Sequence, residues 1–276
     1  MDYKRVLTIQ DISCVGQCSL TVALPILSAC GLEACVLPSA VLSTHTAFPG
    51  ATIRDLTEDM PKIAAHWQAN GIHFDAISCG YLGSRQQLSH VAAIFDNLGA
   101  EGCVKIVDPA MADHGKLYRG FDGQFVEAMK CFCAKADYLI PNITEACLLT
   151  DTPYRENYDR FFPEELLRKL ASLGPKNVIL TGASFTPGVT GVAVLERGQV
   201  HFYGHEMLPE SRHGTGDLFA AVFMGALMRG KAAPEAARIA ADFVGESIRV
   251  TLQHPGHWYG TTFELALPKL MEMLRN

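Results

Sequence analysis

AISCGYLGSRQQLSHVAAIFDNLGAEGCVKIVDP, residues 76–109, decides how the rest of the chain is read. A short apolar run at 76–79 breaks at Gly80-Tyr81-Leu82-Gly83-Ser84, helical spacing follows over 85–98, and a second apolar run at 103–107 ends on Asp108-Pro109. Apolar run, helix-length segment and apolar run make a strand–helix–strand unit. The same alternation extends in both directions. On the N-terminal side it predicts a strand over 5–10 ending at Asp11, a helix over 19–30 closed by Gly31, a strand over 33–38 and a helix over 57–70 stopped by Gly71. A polar loop with Ser43, Thr44, His45, Thr46 and Gly50 separates the last two.

On the C-terminal side come a helix over 121–134, a short strand over 138–140, a helix entered through Pro141-Asn142 and a strand over 177–181. Asn142 followed three residues later by Glu145 has the form of an N-cap with an acidic N3 residue. A hairpin over 189–195 and 199–204 turns at Arg197-Gly198, and helices over 215–229, 234–252 and 261–274 close the chain. Repeated strand-then-helix units call for a mostly parallel sheet covered by helices on both faces: an α/β three-layer sandwich. No internal repeat, low-complexity tract or Pro/Gly-rich linker divides it, so residues 1–276 are expected to form a single domain.

Composition narrows the class. With 49% hydrophobic and 19% charged residues, the chain can bury a large core. A net charge of −6 with no basic run argues against nucleic acid as a partner. Nine cysteines lie mostly in apolar segments and no signal peptide precedes Tyr3, which predicts reduced thiols in a cytoplasmic protein. No CxxC pair with a second Cys or His pair suggests structural zinc, and no apolar run reaches the ~18 residues that span a bilayer.

In parallel α/β sheets, ligands bind at the carboxyl ends of the strands. Asp11, Tyr81, Asp108, Asn142 and Thr181 all fall just after predicted strands, which places a site there. Asp108 and Asp113 are two carboxylates in one loop, and Glu145 opens the next helix. Hard cations such as Mg²⁺ take oxygen ligands of this kind, with water and substrate phosphates. Asp108 as a turn cap and Asp113 as a solvated acid are the plainer alternatives. Lys and Arg are sparse near these loops, and no GxxxxGKS or GxxxxGKT loop occurs, so backbone N–H groups and a metal would have to meet phosphate charge.

Arg212-His213-Gly214-Thr215-Gly216-Asp217 supplies such N–H groups. Glycines allow close approach of backbone to a ligand, and a helix N-terminus presents unpaired donors to an anion. A carboxylate is a poor phosphate binder but a good base for a hydroxyl that attacks a phosphoryl group. An ordinary helix start with an acid favouring the macrodipole is the other reading of Asp217. Tyr81 and His45 can sandwich a flat heterocycle, with Thr46 and Asp11 at its edge, or they can be a packing aromatic and an idle loop histidine. The other histidines show no spacing that suggests metal binding.

These residues, taken in order, resemble the pyridoxal kinases, the vitamin B6 salvage branch of the ribokinase-like fold. The matching pieces are Leu7-Thr8-Ile9-Gln10, Ser43-Thr44-His45-Thr46, Ser78-Cys79-Gly80-Tyr81-Leu82-Gly83 and Val107-Asp108-Pro109-Ala110-Met111. They continue with Pro141-Asn142-Ile143-Thr144-Glu145, Val178-Ile179-Leu180-Thr181 and Gly214-Thr215-Gly216-Asp217-Leu218-Phe219. GTGD marks the wider sugar and vitamin kinase superfamily; the Gly-Tyr-Leu-Gly and Ser-Thr-His-Thr pieces point to the pyridoxal branch. The resemblance implies ATP-dependent phosphorylation of the 5′-hydroxymethyl group of pyridoxal, pyridoxine or pyridoxamine. It makes Asp217 the base and Gly214, Thr215 and Gly216 the anion hole, with His45, Thr46 and Tyr81 lining the ring pocket. Asp108, Asp113 and Glu145 would hold Mg²⁺ and the triphosphate directly or through water, with Asn142 and Thr181 near the phosphates. It further implies homodimers and help from a monovalent cation such as K⁺. Two positions depart from the pattern: Asp11 stands where the family usually has serine, and His213 before GTGD is similar to the hydroxymethylpyrimidine (phosphate) kinases of thiamine synthesis. That group is the first rival, although it typically carries cysteine at the place of Asp217; a catalytically idle ligand-binding relative is the second.

Overall fold

Residues 3–209 and 212–275 are described by a computed structural model. The chain runs β1 (Arg5–Ser13), α1 (Leu20–Ala29), β2 (Glu33–Leu42), β3 (Ile53–Asp55), α2 (Met60–Ala69), β4 (Phe74–Cys79), α3 (Arg85–Asn97) and β5 (Gly99–Val107). A small hairpin of β6 (Ala112–Asp113) and β7 (Lys116–Leu117) precedes α4 (Gly123–Cys133), β8 (Tyr138–Leu139), α5 (Ile143–Leu149) and α6 (Phe161–Ala171). Then come β9 (Asn177–Thr181), β10 (Val189–Glu196), β11 (Gln199–Glu206), α7 (Thr215–Met228), α8 (Ala233–Thr251) and α9 (Phe263–Met273).

Among the described residues, nine strands form one sheet in the order β11-β10-β9-β8-β5-β4-β1-β2-β3, and β6 pairs only with β7. The six strands from β9 to β2 are parallel; β10, β11 and β3 join antiparallel at the edges. Successive residues of the buried strands serve opposite faces, as the period of two requires. Leu7, Ile77, Val107 and Val178 enter a core with α2 to α6, whereas their neighbours Val6, Ala76, Ile106 and Ile179 enter a second core with α1, α7, α8 and α9. Helices therefore cover both faces, giving three layers.

Local chemistry explains many boundaries. The Ser84 hydroxyl accepts from the Gln87 N–H to start α3, and Asn142 and Glu145 complete a reciprocal capping box at α5. The β10–β11 turn has Arg197 at φ 50° and Gly198 at φ 79°, the paired positive values that a tight hairpin needs. Three elements lie outside the expectations: α6, β3 and the β6–β7 hairpin. The N-cap of α6, Arg160, gives no side-chain cap; Asp159 Oδ1 accepts from the Phe161 N–H at 3.0 Å instead, and Pro163 and Glu164 lie in the first turn. β1 runs three residues past Gln10, with a register shift against β2 that places Asp11 at an irregularity.

From β1 the chain moves to β2 on one side, and the later parallel strands β4, β5, β8 and β9 follow on the other. The connections after β1 and β4 thus diverge, opening a crevice at their carboxyl ends.

Candidate active site

The crevice is lined by Thr8 and Gln10 of β1, Ser78 and Gly80 around the end of β4, Asp108 beyond β5, and Asp217 of α7. Thr8 and Gln10 come from within β1, Ser78, Gly80 and Asp108 from the ends of β4 and β5, and Asp217 from a helix N-terminus. Gly80 lets the Gln10 amide lie close: a Cβ there would fall 2.7 Å from Gln10 Oε1, and the Gln10 side chain would have to shift.

Gly214 is the N-cap of α7 at φ 76°, ψ 4°, and Asp217 lies in the first turn. Among the described residues no side chain caps this fourteen-residue helix, and the leading N–H groups of an α-helix have no partner within it. The Thr215 hydroxyl donates to the Arg212 carbonyl at 3.1 Å and fixes the turn. Asp217 is pushed up to about 7, chiefly by burial and further by the charge of Asp11; the Ser19 N–H counters by favouring the ionised carboxylate. Asp108 is held well above the usual carboxylate range by burial, then by Glu145 and Asp217. Glu145 is pushed up to about 7 by burial, against the pull of three backbone N–H groups. Those donors are explicit: Asn142 N–H to Oε2 at 2.9 Å, Met111 N–H to Oε1 at 3.0 Å and Ala112 N–H to Oε1 at 3.5 Å.

The predicted residues separate into two neighbouring groups. Asp108, Glu145, Asn142 and Thr181 form one: Asn142 Nδ2 donates to the Ala112 carbonyl at 2.8 Å, and Asn142 bridges Thr181 in parallel register. Asp113 stands at its margin, 53% exposed and turned to its own neighbour, whose Nε2 (His114) lies 3.5 Å away. Asp11, Tyr81, His45 and Asp217 form the other. Asp11 is buried, its Oδ1 accepting from the Ser19 hydroxyl at 2.7 Å and its Oδ2 from Ser13 at 3.3 Å. Burial raises Tyr81 and Asp217, and the charge of Asp11 raises each further. The half-buried Tyr81 ring packs on Phe121, 5.5 Å between centroids. His45 is buried with Nδ1 accepting from the Ala47 N–H at 3.1 Å, so its Nε2 carries the proton of the neutral ring. Burial lowers its pKa, His213 lowers it further, and the Tyr259 carbonyl opposes both. Thr46 is exposed.

Several residues at the crevice were not foreseen. The Tyr118 hydroxyl is raised by burial and then by the charges of Glu145, Asp113, Asp108 and Asp217, and its backbone N–H donates to the Met111 carbonyl at 2.8 Å. Ser19 occupies φ 52°, ψ −131° and touches both Asp11 and Asp217. Phe48, Trp258 and Tyr259 surround His45 and each other. Phe48 shares a loop with His45, the one signal that could have found it; the others come from distant loops without a local motif.

Asp108, Glu145 and Asp217 raise one another or are raised by burial, a set of oxygen donors that a divalent cation would relieve. Among the described residues no group of three or more His, Cys, Asp or Glu side chains is disposed to hold a metal alone. The donor set therefore fits an ion that takes one or two protein carboxylates and completes its shell with phosphate and water.

A family model described as phosphomethylpyrimidine kinase matches residues 26–262. A Bacteroides thetaiotaomicron structure named for that same activity is 37% identical, covers 98% of this chain and 94% of its own, and superposes with a TM-score of 0.93. An orthorhombic form from the same organism was solved with pyridoxal. The pyridoxal kinase of Lactobacillus plantarum is 31% identical over 99% of this chain and 98% of its own, with a TM-score of 0.90. A pyridoxine/pyridoxal/pyridoxamine kinase from Bordetella pertussis is 28% identical over 256 residues, 89% of each chain. The three-layer sheet, the crevice at the switch between β1 and β4, and these likenesses agree: the chain belongs to the phosphomethylpyrimidine kinase family and, within it, to the pyridoxal kinases of the ribokinase-like fold.

Proposed function

We propose that the chain transfers the γ-phosphoryl group of ATP to the 5′-hydroxymethyl group of pyridoxal, pyridoxine or pyridoxamine. One observation carries the mechanism: a carboxylate, Asp217, lies in the first turn of the helix that the Gly214 turn opens, and burial raises its pKa to about 7. A base with that pKa accepts a proton near neutral pH without being trapped by it. Asp217 takes the hydroxymethyl proton, the oxygen attacks phosphorus, and the bond to the ADP oxygen breaks. The N–H groups of Gly214, Thr215 and Gly216 meet the charge on the transferring group.

Asp108 is suited to hold Mg²⁺, with Glu145 and Asp113 acting through water because Glu145 is engaged by backbone donors and Asp113 faces solvent. When bound, the ion neutralises phosphate charge. Asn142 and Thr181 flank the phosphates, and Asp11, His45, Thr46 and Tyr81 surround the ring. A monovalent cation such as K⁺ can assist at the same phosphates. We assign residues 1–276 to one kinase domain acting as a homodimer. All nine cysteines are free thiols, which supports a reducing compartment and a cytoplasmic location. Among the described residues no helix is long and apolar enough to cross a membrane.

His213 before GTGD and the family description favour hydroxymethylpyrimidine as the second substrate to try. Purified protein assayed with ATP and Mg²⁺ should phosphorylate at least one B6 vitamer with kcat/KM more than tenfold above hydroxymethylpyrimidine. Turnover confined to the pyrimidine would overturn the assignment.

A further inference from the structure

Above the crevice the C-terminal loop between α8 and α9 meets the loop after β1, the loop after β2 and the Gly214 turn. Gln17 is wedged at the junction. Its carbonyl oxygen lies 1.8 Å from where a Cβ on Gly214 would be, and its own Cβ lies 2.3 Å from where one on Gly260 would be. Gly260 has φ 145°, so glycine is needed at that contact on conformational grounds as well. The Gln17 N–H donates to the Tyr259 carbonyl at 3.3 Å, and its side-chain amide donates to Glu264 at 2.7 Å. The C-terminal loop is therefore held in register with the anion turn rather than lying loosely on it.

This loop carries Trp258. Its indole packs on Phe48 at 4.5 Å between centroids and stands edge-on to His45 at 6.2 Å and 74°, yet 47% of the residue remains exposed. His45 in turn packs on His213, which directly precedes the anion turn, at 5.0 Å. A continuous aromatic wall thus runs from His213, at the start of the anion turn, through His45 and Phe48 to a half-bare indole. An electron-rich indole on a fixed loop is well matched to a flat, electron-poor pyridine ring, most of all in its protonated form.

We propose that Trp258 is a substrate-contacting residue, stacking on the bound heterocycle and closing the outer side of the ring pocket. The inference rests on the reading of the site as a B6 kinase. Because loop and anion turn are wedged together by Gln17, the indole is preorganised and contributes to vitamer binding rather than to phosphoryl transfer.

Two measurements test it. Trp67 and Trp258 are the chain's two tryptophans, so W67F leaves Trp258 as the fluorophore. Titrating pyridoxal into W67F without nucleotide should quench its emission with saturation. W258A should raise KM for pyridoxal by about five- to tenfold, leave KM for ATP within about twofold and leave kcat within about threefold, while W258F recovers most of the loss. Should W258A unfold, W258F and the W67F titration still decide. An unchanged pyridoxal KM in active W258A, or no saturable quenching in W67F, overturns the proposal. If the unsubstituted enzyme phosphorylates no B6 vitamer but accepts hydroxymethylpyrimidine, the B6 reading falls instead. The same titration with the pyrimidine then supports Trp258 as a contact if it quenches and overturns it if it does not.

Discussion

Asp217 is asked to ionise in a place that disfavours ionisation. Its carboxyl is raised to about 7 by burial, so below that pH the proposed base is increasingly protonated and cannot accept. kcat/KM for the vitamer should fall about tenfold per pH unit on the acid side of about 7. D217N should lower kcat by ~10²–10⁴ and remove that acid limb, with KM for ATP nearly unchanged; near-normal turnover would exclude Asp217 as base. Asp108 is expected to act on the metal side. D108A should raise the Mg²⁺ needed for half-maximal rate by about tenfold and weaken vitamer binding less; equal Mg²⁺ dependence in the two enzymes would remove it from the ion's shell. Asp11 is the least conventional residue, a buried acid satisfied by Ser13 and Ser19 hydroxyls that still has lone pairs for a ring edge. D11S restores the residue usual in the family. It should change the relative kcat/KM for pyridoxal, pyridoxamine and hydroxymethylpyrimidine by several-fold, as expected for one charged hydrogen bond of ~1.5–3 kcal/mol. Unchanged substrate ratios would confine Asp11 to holding Ser19.

The Gly214 turn can be tested as an element. Alanine there meets two obstacles: φ is 76°, and the added methyl would fall 1.8 Å from the Gln17 backbone oxygen, which no side-chain rotation relieves. G214A should cost at least about 1–3 kcal/mol in backbone strain alone, seen as a lowered thermal midpoint, and should reduce kcat by ~10² or more. A variant with wild-type rate would show that the turn does not hold the phosphoryl group. At this scale much of the structure was readable from the chain. An apolar run located β9, and α3, α5 and the β10–β11 hairpin are each announced by local chemistry: Ser84, the Asn142–Glu145 box, Arg197-Gly198. α6 was missed although its signals are in the sequence: Asp159 and Glu164 stand at its start, Phe162, Leu166, Leu167 and Leu170 recur at helical spacing, and Glu164–Arg168 and Glu165–Lys169 pair four residues apart. Within the candidate site, Asp108, Glu145 and Asp217 stand out in the sequence since acids at strand and helix ends are chemically conspicuous. Phe48, Tyr118 and Trp258 do not, because a loop aromatic looks the same whether it lines a pocket or packs against a core.

Across the whole molecule, the buried acids tie stability to pH. Asp217 rises from 3.8 and Glu145 from 4.5, each to about 7, so between these limits the folded chain binds more protons than the unfolded one. Their contribution is fully present below pH 4 and is lost as pH rises through about 7. In the absence of Mg²⁺ and nucleotide the thermal midpoint should therefore be higher at pH 5.5 than at pH 8, and D217N should shrink the difference. A midpoint that climbs over this interval would contradict the assigned environment of both acids. The division of the core carries a consequence of another kind, for a chain being made on the ribosome. One face of the sheet is covered mainly by α2 to α6, which are synthesised among the strands they protect. The opposite face, with Val6, Ala76, Ile106 and Ile179, has only α1 until α7, α8 and α9 emerge. At about 5–20 residues per second, the stretch from Thr181 to Met273 takes on the order of 5–20 s to synthesise. For that time a nearly finished parallel sheet would present an uncovered apolar surface, so nascent chains stalled before Thr215 should be preferred clients of chaperones that bind exposed hydrophobic faces.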